Sequence, residues 1–597
     1  MSCVPVEDGG VVWQPEGDYV TMTKISAAAA GCGNGMQEPK PLNSSIYRRF
    51  LIFIAGMGGL LYGIDVGIIA AALLYLGKAV DLSVEQKSLI VAAVLGGSML
   101  SSPLAGLLAD WFGRKRMMVV SGLLFVISIG LIFTSQGFVE LFVGRLLQGM
   151  SGGVIAVVVP LYLAETLKAD LRGRGTALFQ FMLTFGIVMA SLIGYYYTHQ
   201  AQHLISQAAG NSVLILAAEN HAWRSMFLAI IYPGLVFFAG SMFLGESPRW
   251  LFRRGKVEQA LRALAKSTSC DEAELELKEM QALTTERDTN VLMKGFDSLL
   301  QRKYVIPFLL ACAILSLNTA TGINSVLSFI VVILKKAGLT PTLSTQGDIV
   351  VTVLNCVATL IGVALVDRKG RRFLLKAGTA GIVLSMVAAG LIFLRFESRQ
   401  VNVKARVAAA QSGNEITMPV SDSALGMAPT GHAMALTVLY RYGSGEHIAT
   451  VVTSSAHPAL KIVPASKDAG KALVVELASY GPVPPQSTGW LIALCLGAFI
   501  CCYAAGPGVV VWLALSELMP TRIRSSGMGI ALLLNQGVST MMAFLFLPIV
   551  AHFGYYAMFF IWAGCAALYF TTATLFLPET KGKTLEEIEL HFEGAGG

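Results

Sequence analysis

The amino-acid sequence predicts an all-α membrane protein in which twelve transmembrane helices form two pseudo-symmetric six-helix bundles. Of its 597 residues, 54% are hydrophobic and only 14% are charged, which is too little polar surface for a soluble protein of this size. The apolar stretches are long enough to span a bilayer, since about 20 residues of helix cross roughly 30 Å of hydrocarbon. The predicted spans lie near residues 49–76, 87–111, 117–136, 138–164, 175–198, 224–245, 304–335, 347–366, 373–395, 488–515, 526–551 and 554–577.

The positions of Lys and Arg between the spans predict the orientation of the chain. Basic clusters such as those at 114–116 and 368–372 fall on one predicted side, whereas the loops near 136–138 and 552–554 contain neither residue type. Both termini are therefore expected to be cytoplasmic, in a multi-pass protein of the plasma (inner) membrane surrounded by lipid. These clusters account for the net charge of +7, so no nucleic-acid partner is expected.

Charged residues recur at matching positions in the two halves of the chain. Asp110 precedes Glu165 by 55 residues, and Asp367 precedes Glu517 by 150. The excess of 95 residues matches a polar stretch over 397–487, and without it the halves are in register. A duplicated six-span unit is typical of transporters, which bind their solute between the two halves.

The repeat and the composition divide the chain into segments. The stretch over 397–487, external on this topology, has short apolar runs at 434–440 and 473–477 between Gly, Ser and Pro, which predicts a small β-rich insertion. It is either a decorative loop or a partner-binding element. The other predicted segments are a flexible cytoplasmic tail (1–47), an N-terminal bundle (48–245), a cytoplasmic helical linker (246–302), a C-terminal bundle that contains the insertion (303–577) and a cytoplasmic C-terminal tail (578–597).

Six short motifs occur in order at the ends of the predicted spans. They are GGLLYGID at 58–65, DWFGRKR at 110–116, GRLLQG at 144–149, PLYLAE at 160–165, ESPRWL at 246–251 and PETKG at 578–582. Each is weak alone, but together they resemble the sugar porter family of the major facilitator superfamily, which includes bacterial sugar–proton symporters. The resemblance runs from about residue 50 to 590, apart from the insertion.

The resemblance implies a charge lock on the cytoplasmic face. In alternating access the two bundles associate on one face in one state and separate there in the other. A part-buried charge network is worth roughly a few kcal/mol, similar to the gap between such states. The alternative is that these charges only enforce topology. The residues assigned to the lock are Asp110, Arg114, Glu165, Arg172, Asp367, Arg371, Glu517 and Arg524.

Asp65 lies inside the first predicted span among apolar neighbours. A carboxylate there costs about 2.5–3.5 kcal/mol on insertion scales, and burial favours its neutralisation by a proton. Arg145 opens the fourth span, and the resemblance implies that it forms the proton-coupling pair with Asp65. Protonation of Asp65 would release Arg145 and let the bundles rearrange. The alternative is a permanent salt bridge, and many facilitators have a neutral residue at the Asp position.

Amide and hydroxyl side chains inside the spans are the candidates for binding the solute, since a sugar or polyol needs several such groups beside an aromatic face. Intramembrane Asn can instead join helices. The chain has Ser328 where the family has a tyrosine, so a pentose, hexose, polyol or inositol all remain possible. The residues that the resemblance places in the cavity are Gln180, Asn318, Thr319, Asn324, Asn355, Trp512 and Asn535.

The sequence leaves three functional hypotheses. The preferred one is a monomeric transporter that moves a sugar or polyol by alternating access in symport with H+. The alternatives are an uncoupled facilitator and a membrane sugar sensor that does not transport. The sequence has no Gly-x-x-x-x-Gly-Lys-Ser/Thr loop to bind ATP and no His/Cys cluster with metal-ligand spacing. No enzyme activity, cofactor or metal is therefore expected.

Overall fold

The computed structural model describes residues 2–5, 11–14, 44–167, 169–208, 210–266, 273–278, 280–281, 302–428, 432–443, 445–454, 458–464, 470–511 and 524–577. Within these ranges, twelve helical spans are long and apolar enough to cross a membrane, as the sequence predicts. Near the N-terminus, two short strands, β1 (Ser2–Pro5) and β2 (Val11–Gln14), pair antiparallel.

The first six spans form the N-terminal half of the bundle. The second span begins after Ser83, whose hydroxyl accepts the backbone N–H of Gln86 while Gln86 bonds back to the Ser83 N–H, a capping box that satisfies two free donors. The sixth span begins at Ser212, twelve residues before its predicted start. The helices are Ser44–Ala79, Val84–Phe112, Arg114–Thr134, Phe138–Thr166, Ala169–Gln207, and Ser212–Ala229 continued by Ile231–Phe243.

The last six spans form the C-terminal half. The seventh is broken at Gly322, which has a φ of 88°, a left-handed conformation that glycine adopts without a Cβ clash. The tenth is broken at Gly506, where its first helix ends. Transporters build binding sites from such discontinuous helices. The helices are Arg302–Ala320 with Ile323–Lys336, Pro341–Lys369, Arg371–Glu397, Gln486–Ala505 with 507–511, Arg524–Phe553, and Tyr555–Leu575.

The two halves are joined by buried apolar packing and by hydrogen bonds. Buried residues from the first and seventh spans, among others of both halves, belong to one continuous core. Side-chain bonds then link the second span to the eleventh, and the fifth to the eighth. They are Gln536 Nε2 to Ser98 Oγ (2.9 Å), Thr352 Oγ1 to Ser191 Oγ (3.2 Å), Gln346 Nε2 to the Tyr195 hydroxyl (3.4 Å) and Thr184 Oγ1 to Cys356 Sγ (3.5 Å).

The segment between the halves forms short helices that pack on one face of the bundle, which we call the linker face. Pro248–Arg253 is capped by the hydroxyl of Ser247, which accepts the N–H of Trp250 (3.2 Å). Val257–Ala265 follows and buries its apolar side against the stretch at 273–281.

The segment between the ninth and tenth spans folds into a small domain, which we call the β domain (residues 398–485), and its described residues form seven strands. A four-stranded antiparallel sheet has the order β3-β9-β6-β7, and a three-stranded sheet has the order β4-β5-β8. This confirms the predicted β-rich insertion. The strands are β3 (Val401–Asn402), β4 (Gln411–Ser412), β5 (Glu415–Pro419), β6 (Met434–Tyr442), β7 (Gly445–Val452), β8 (Ala459–Ile462) and β9 (Leu473–Pro482), with a helix at Lys404–Ala409.

The β domain has its own core, because alternate residues of its strands point inward. Leu436 and Val438 on β6 and Ile416 on β5 are fully buried. Tyr480 on β9 donates its hydroxyl to Asp422 (2.6 Å), and burial together with this carboxylate raises the pKa of Tyr480. The domain is therefore a folded unit rather than an irregular loop, and it packs on the face of the bundle opposite the linker.

Candidate functional site

A buried ion pair lies in the N-terminal half. Asp65 comes from the first span and Arg145 from the fourth, and Arg145 Nη1 is 3.2 Å from Asp65 Oδ1. The two side chains are only 1% and 2% exposed. The same Nη1 donates to Gln148 Oε1 at 2.7 Å, one turn further along the fourth span, and the guanidinium carbon lies 5.5 Å from the centre of the Phe227 ring. The structure thus brings together the two residues that the sequence assigned to proton coupling.

This ion pair has unused hydrogen-bonding capacity. Within the described part of the chain, Asp65 Oδ2 and Arg145 Nε have no hydrogen-bond partner, nor has Gln148 Nε2. Most buried polar atoms in proteins are bonded, so these are exceptions. A carboxylate oxygen without a partner can take up a proton, and an arginine already bonded to Gln148 and beside Phe227 can release the carboxylate without losing every contact.

A second polar cluster lies at the break in the seventh span. Asn318 donates through Nδ2 to the hydroxyl of Tyr503 in the tenth span (2.9 Å). Asn324, just after the break, donates to Ser539 Oγ in the eleventh span (2.6 Å). These bonds tie the discontinuous helix to two neighbouring spans and hold its amides in the interior. The sequence did not identify Tyr503 or Ser539, which become visible only as partners of the predicted asparagines.

Further members of this cluster come from the seventh and eleventh spans. Thr319 donates to the backbone carbonyl of Asn535 (3.1 Å). The side-chain oxygens of Asn318 and Asn535 have no hydrogen-bond partner within the described residues, although both side chains are almost fully buried. Two amide oxygens are therefore available as acceptors for a hydroxyl-bearing solute. We call Asn318, Thr319, Asn324 and Asn535 with Tyr503 and Ser539 the amide cluster.

Three predicted binding residues are less closely connected. Asn355 is 7% exposed in the eighth span, and Gln180 is half-buried in the fifth. The hydrogen bonds that the structure gives for these two involve their backbone carbonyls, which accept from Thr359 and Thr184. Neither side chain is shown in contact with the amide cluster in the described structure. Trp512 lies outside the described residues.

A charge network occupies the linker face of the N-terminal half. Arg114 is 1% exposed, and it reaches Asp110 Oδ1 (2.7 Å) and both oxygens of Glu165, at 2.8 and 2.9 Å. Glu165 also accepts from Ser247 Oγ and from Arg253 Nη2, each at 2.5 Å. The network thus joins three spans to the first linker helix, and Arg253 is a member that the sequence did not identify.

Of the other residues assigned to the lock, only Arg371 has a described side chain. Arg371 is half-buried at the start of the ninth span. Glu517 and the side chains of Arg172, Asp367 and Arg524 lie outside the described part of the structure. The contact between the two halves that the lock requires therefore stays a prediction.

A second acid is buried inside the membrane region. Asp348 is 2% exposed and lies seven residues after Pro341, where the eighth span begins. The sequence prediction started this span at residue 347 and so placed Asp348 at its edge. The sequence did contain a signal for this residue, because an Asp within an apolar segment is costly. It was missed because the helix begins six residues before the predicted span, so that Asp348 lies inside the helix rather than at its end.

Two six-helix halves with a buried ion pair in one and an amide cluster in the other define a membrane transporter of the major facilitator type. The family model described as "Sugar (and other) transporter" matches residues 51–412 and 470–592. The chain belongs to this family, and it is a transporter of sugars or polyols rather than an enzyme. The unmatched stretch between the two matched ranges lies within the β domain.

Similar proteins agree with this assignment. The probable metabolite transport protein CsbC of Bacillus subtilis is 27% identical over 91% of this chain and 94% of its own length. The human proton myo-inositol cotransporter is 26% identical over 90% of this chain and 81% of its own length. The inward-open structure of the xylose transporter XylE from E. coli is 20% identical and aligns with a TM-score of 0.61, covering 90% of this chain and 98% of that one. At this identity the likeness to XylE establishes the fold alone.

Proposed function

We propose that this transporter couples the movement of a neutral sugar or polyol to that of H+. The observation that carries the proposal is the buried pair of Asp65 and Arg145, joined by one contact of 3.2 Å with the second carboxylate oxygen unbonded. An ionisable residue inside a membrane protein is by default a hypothesis for a functional site, and proton relays are among the roles such residues have. Here Asp65 can release Arg145 when it is protonated, and its unbonded Oδ2 can accept the proton.

Protonation would change how strongly the first and fourth spans attract each other. With Asp65 ionised, the low-dielectric interior strengthens its attraction to Arg145. A neutral Asp65 loses that attraction, while Arg145 keeps its bond to Gln148 and its place beside Phe227. The free-energy gap between two transport states is only a few kcal/mol, so the loss of one buried ion pair is large enough to shift their populations.

The amide cluster is our proposed solute site. Its described side chains are uncharged, and they offer amide and hydroxyl groups of the kind that bind sugar hydroxyls. The buried oxygens of Asn318 and Asn535 are free to accept. Gln180, Asn355 and Trp512 complete the proposed cavity. Because a relative is named as a proton myo-inositol cotransporter, we propose myo-inositol for the first panel of solutes, beside glucose and xylose.

We propose that both termini and the linker face are cytoplasmic, that the β domain is outside the cell, and that the membrane is the plasma membrane. The basic clusters at 114–116 and 368–372 lie at helix ends on the linker face, and Lys and Arg favour cytoplasmic loops. We further propose that a single chain is the working unit, since the ion pair and the amide cluster both belong to it.

The test uses purified protein in proteoliposomes with an imposed pH gradient. For a symport of one H+ per solute, a gradient of one pH unit should drive roughly tenfold accumulation, because one unit corresponds to about 1.4 kcal/mol. Asp65→Asn, which mimics the protonated acid, should abolish accumulation but keep the exchange of labelled for unlabelled solute. Asp348→Asn is the matched control, since it removes another buried acid.

The outcomes separate the hypotheses. Accumulation that persists in Asp65→Asn would refute coupling at this residue. Wild-type protein that equilibrates solute without accumulating it would be a facilitator. Wild-type protein that binds a solute but moves none would be a sensor.

A further inference from the structure

The β domain touches the half of the protein to which it is not directly connected. Its chain leaves the ninth span and returns to the tenth, so it belongs to the C-terminal half. On β7, however, His447 Nδ1 is 3.5 Å from Asp81 Oδ1, in the loop between the first and second spans. At the start of the same strand, a Cβ built on Gly445 would lie 3.6 Å from the Cβ of Ser83. The domain therefore crosses the seam between the halves.

The same strand also contacts the C-terminal half. Glu446, adjacent to His447, has Oε2 at 3.1 Å from Nε2 of His552, near the end of the eleventh span. The ninth span and the start of the twelfth are tied nearby, because Glu397 accepts the backbone N–H groups of Tyr555 and Tyr556 at 3.0 and 3.2 Å. Consecutive residues of β7 thus bridge the two halves across the face opposite the linker.

Beneath the β domain is a chamber of about 490 Å³, a size within the usual range of ligand pockets. Its roof is the sheet of β6, β7 and β9, and its floor consists of helix ends from both halves. Its lining is mixed, with hydroxyls from the roof and charged groups from the floor. These include Thr437, Thr450 and Ser479 above, and Lys87, Lys336 and Glu397 below.

Alternating access requires the two halves to separate on this face in one state. A domain fixed to both halves would prevent that separation. The attachment to the C-terminal half is covalent at both ends of the domain, whereas β7 meets the N-terminal half only through non-covalent contacts with the loop at 81–83 and the second span that follows it. Its polar contact between His447 and Asp81 is partly exposed, with 13% and 45% side-chain exposure, and even when His447 is protonated such exposed pairs are individually weak. The contact with the loop is the one that can break.

We propose that the β domain is a moving part of the gate on this face. It travels with the C-terminal half, and its contact with the loop at 81–83 closes the chamber over the solute path. When the halves separate, that contact opens and the solute enters or leaves beneath the domain. The inference rests on the alternating access and orientation of the proposed function, but it does not require H+ coupling.

A cross-link between the domain and the loop tests the proposal. In the double variant Ser83→Cys/Gly445→Cys, the Cβ atoms are placed near 3.6 Å, within the range of roughly 3.5–4.5 Å found in disulfides. The six cysteines of the spans (Cys312, Cys356, Cys495, Cys501, Cys502 and Cys565) are free and lie away from this pair. Oxidation should reduce the exchange of labelled solute at least tenfold, and a reductant should restore it. Exchange is the readout because it needs no proton gradient.

The matched control is a cross-link within the β domain, between β9 and the segment that follows the ninth span. A Cβ built on Gly481 of β9 would lie 3.3 Å from the Cβ and 3.1 Å from the Cα of Gln400, just after the ninth span. This is slightly closer than the usual disulfide spacing, so Gln400→Cys/Gly481→Cys brings two thiols together after a backbone shift of a few tenths of an ångström. Since both positions belong to the C-terminal half, this cross-link should leave exchange within twofold of wild type. The single variants are assayed with the same oxidant. They show how much exchange is lost because Ser83→Cys removes the helix cap, without any cross-link.

A variant without a cross-link gives independent evidence. His447→Ala removes one side of the weak contact and should favour the open state, which lowers the half-saturating concentration of external solute about two- to fivefold. The proposal is overturned if the oxidised Ser83–Gly445 pair, with its disulfide verified, exchanges solute at the wild-type rate. It is also overturned if the control cross-link inhibits equally or if His447→Ala leaves the half-saturating concentration unchanged. Normal exchange with no pH-driven accumulation would instead count against H+ coupling alone.

Discussion

Replacement of Arg114 by alanine should destabilise the N-terminal half far more than replacement of its exposed neighbour Arg253. Arg114 is 1% exposed and donates to the carbonyl of Ala109 (3.0 Å), to Asp110 (2.7 Å) and to Glu165 (2.9 Å). Alanine would remove all of these bonds and leave the buried carboxylate of Glu165 without its most buried cation. The two arginines touch the same acids, so they form a matched pair that differs chiefly in burial.

The expected magnitude follows from what Glu165 retains. Removal of one partner of a buried ion pair costs about 3–5 kcal/mol. Glu165 would keep its contacts with Ser247 and Arg253, and the Asp110 side chain is 55% exposed, so its bond adds little. The cost for Arg114→Ala should therefore be near the lower end, about 3 kcal/mol. Arg253 is 55% exposed, and its removal should cost about 0–1 kcal/mol.

Thermal unfolding of the purified protein in detergent measures the difference. For a unit of about 200 residues, each kcal/mol corresponds to roughly 2–4 °C in Tm, so Arg114→Ala should lower Tm by roughly 6–12 °C. Arg114→Lys keeps the charge but not the planar fork, and its Tm should be intermediate. Equal shifts for Arg114→Ala and Arg253→Ala would refute the reasoning, because burial would then not determine the cost.

Three further outcomes are expected. Asp348→Asn should leave both pH-driven accumulation and Tm close to wild type, since no cation is shown beside this acid in the described structure; a loss of accumulation would assign it a coupling role. Gly149→Ala should lower Tm by several degrees, because a Cβ there would lie 2.6 Å from Val94 Cα. The control Gly106→Ala places its Cβ in open space and gains helix propensity of up to about 1 kcal/mol. Equal Tm shifts for the two variants would contradict close packing of the second and fourth spans. Tyr503→Phe leaves the buried amide of Asn318 without its hydrogen-bond partner, at a cost of about 1–3 kcal/mol. It should raise the half-saturating solute concentration roughly tenfold in exchange assays. An unchanged half-saturating concentration would exclude Tyr503 from the proposed solute site.

The buried pair of Asp65 and Arg145 illustrates how much local sequence features predict. Asp65 is costly within its own span whatever surrounds it, so its importance is readable from a few neighbouring letters. Its pairing with Arg145, 80 residues away, was predicted through the resemblance to a family, and the structure places the two at 3.2 Å. Apolar composition and length alone could not have supplied the partner.

Other parts of the candidate site have no local signature. Tyr503 and Ser539 lie in apolar spans and resemble ordinary helix residues in sequence, and only the packing of the tenth and eleventh spans against the broken seventh span brings them to Asn318 and Asn324. Arg253 similarly lies among other basic residues of the linker. Its contact with Glu165 depends on how the first linker helix docks, which no nearby residue determines.

The sequence by itself determined the twelve spans, the duplication into two halves and the presence of a β-rich insertion. The spans and the insertion follow from local hydrophobicity and turn residues, and the duplication follows from the spacing of charged residues along the chain. These features can be read without the fold, because the bilayer imposes the same requirements on every span. Tertiary structure alone decided which side chains complete the amide cluster, and it alone set β7 across the seam between the halves. Such contacts join residues more than a hundred positions apart, and their energies depend on the relative placement of whole helices and sheets.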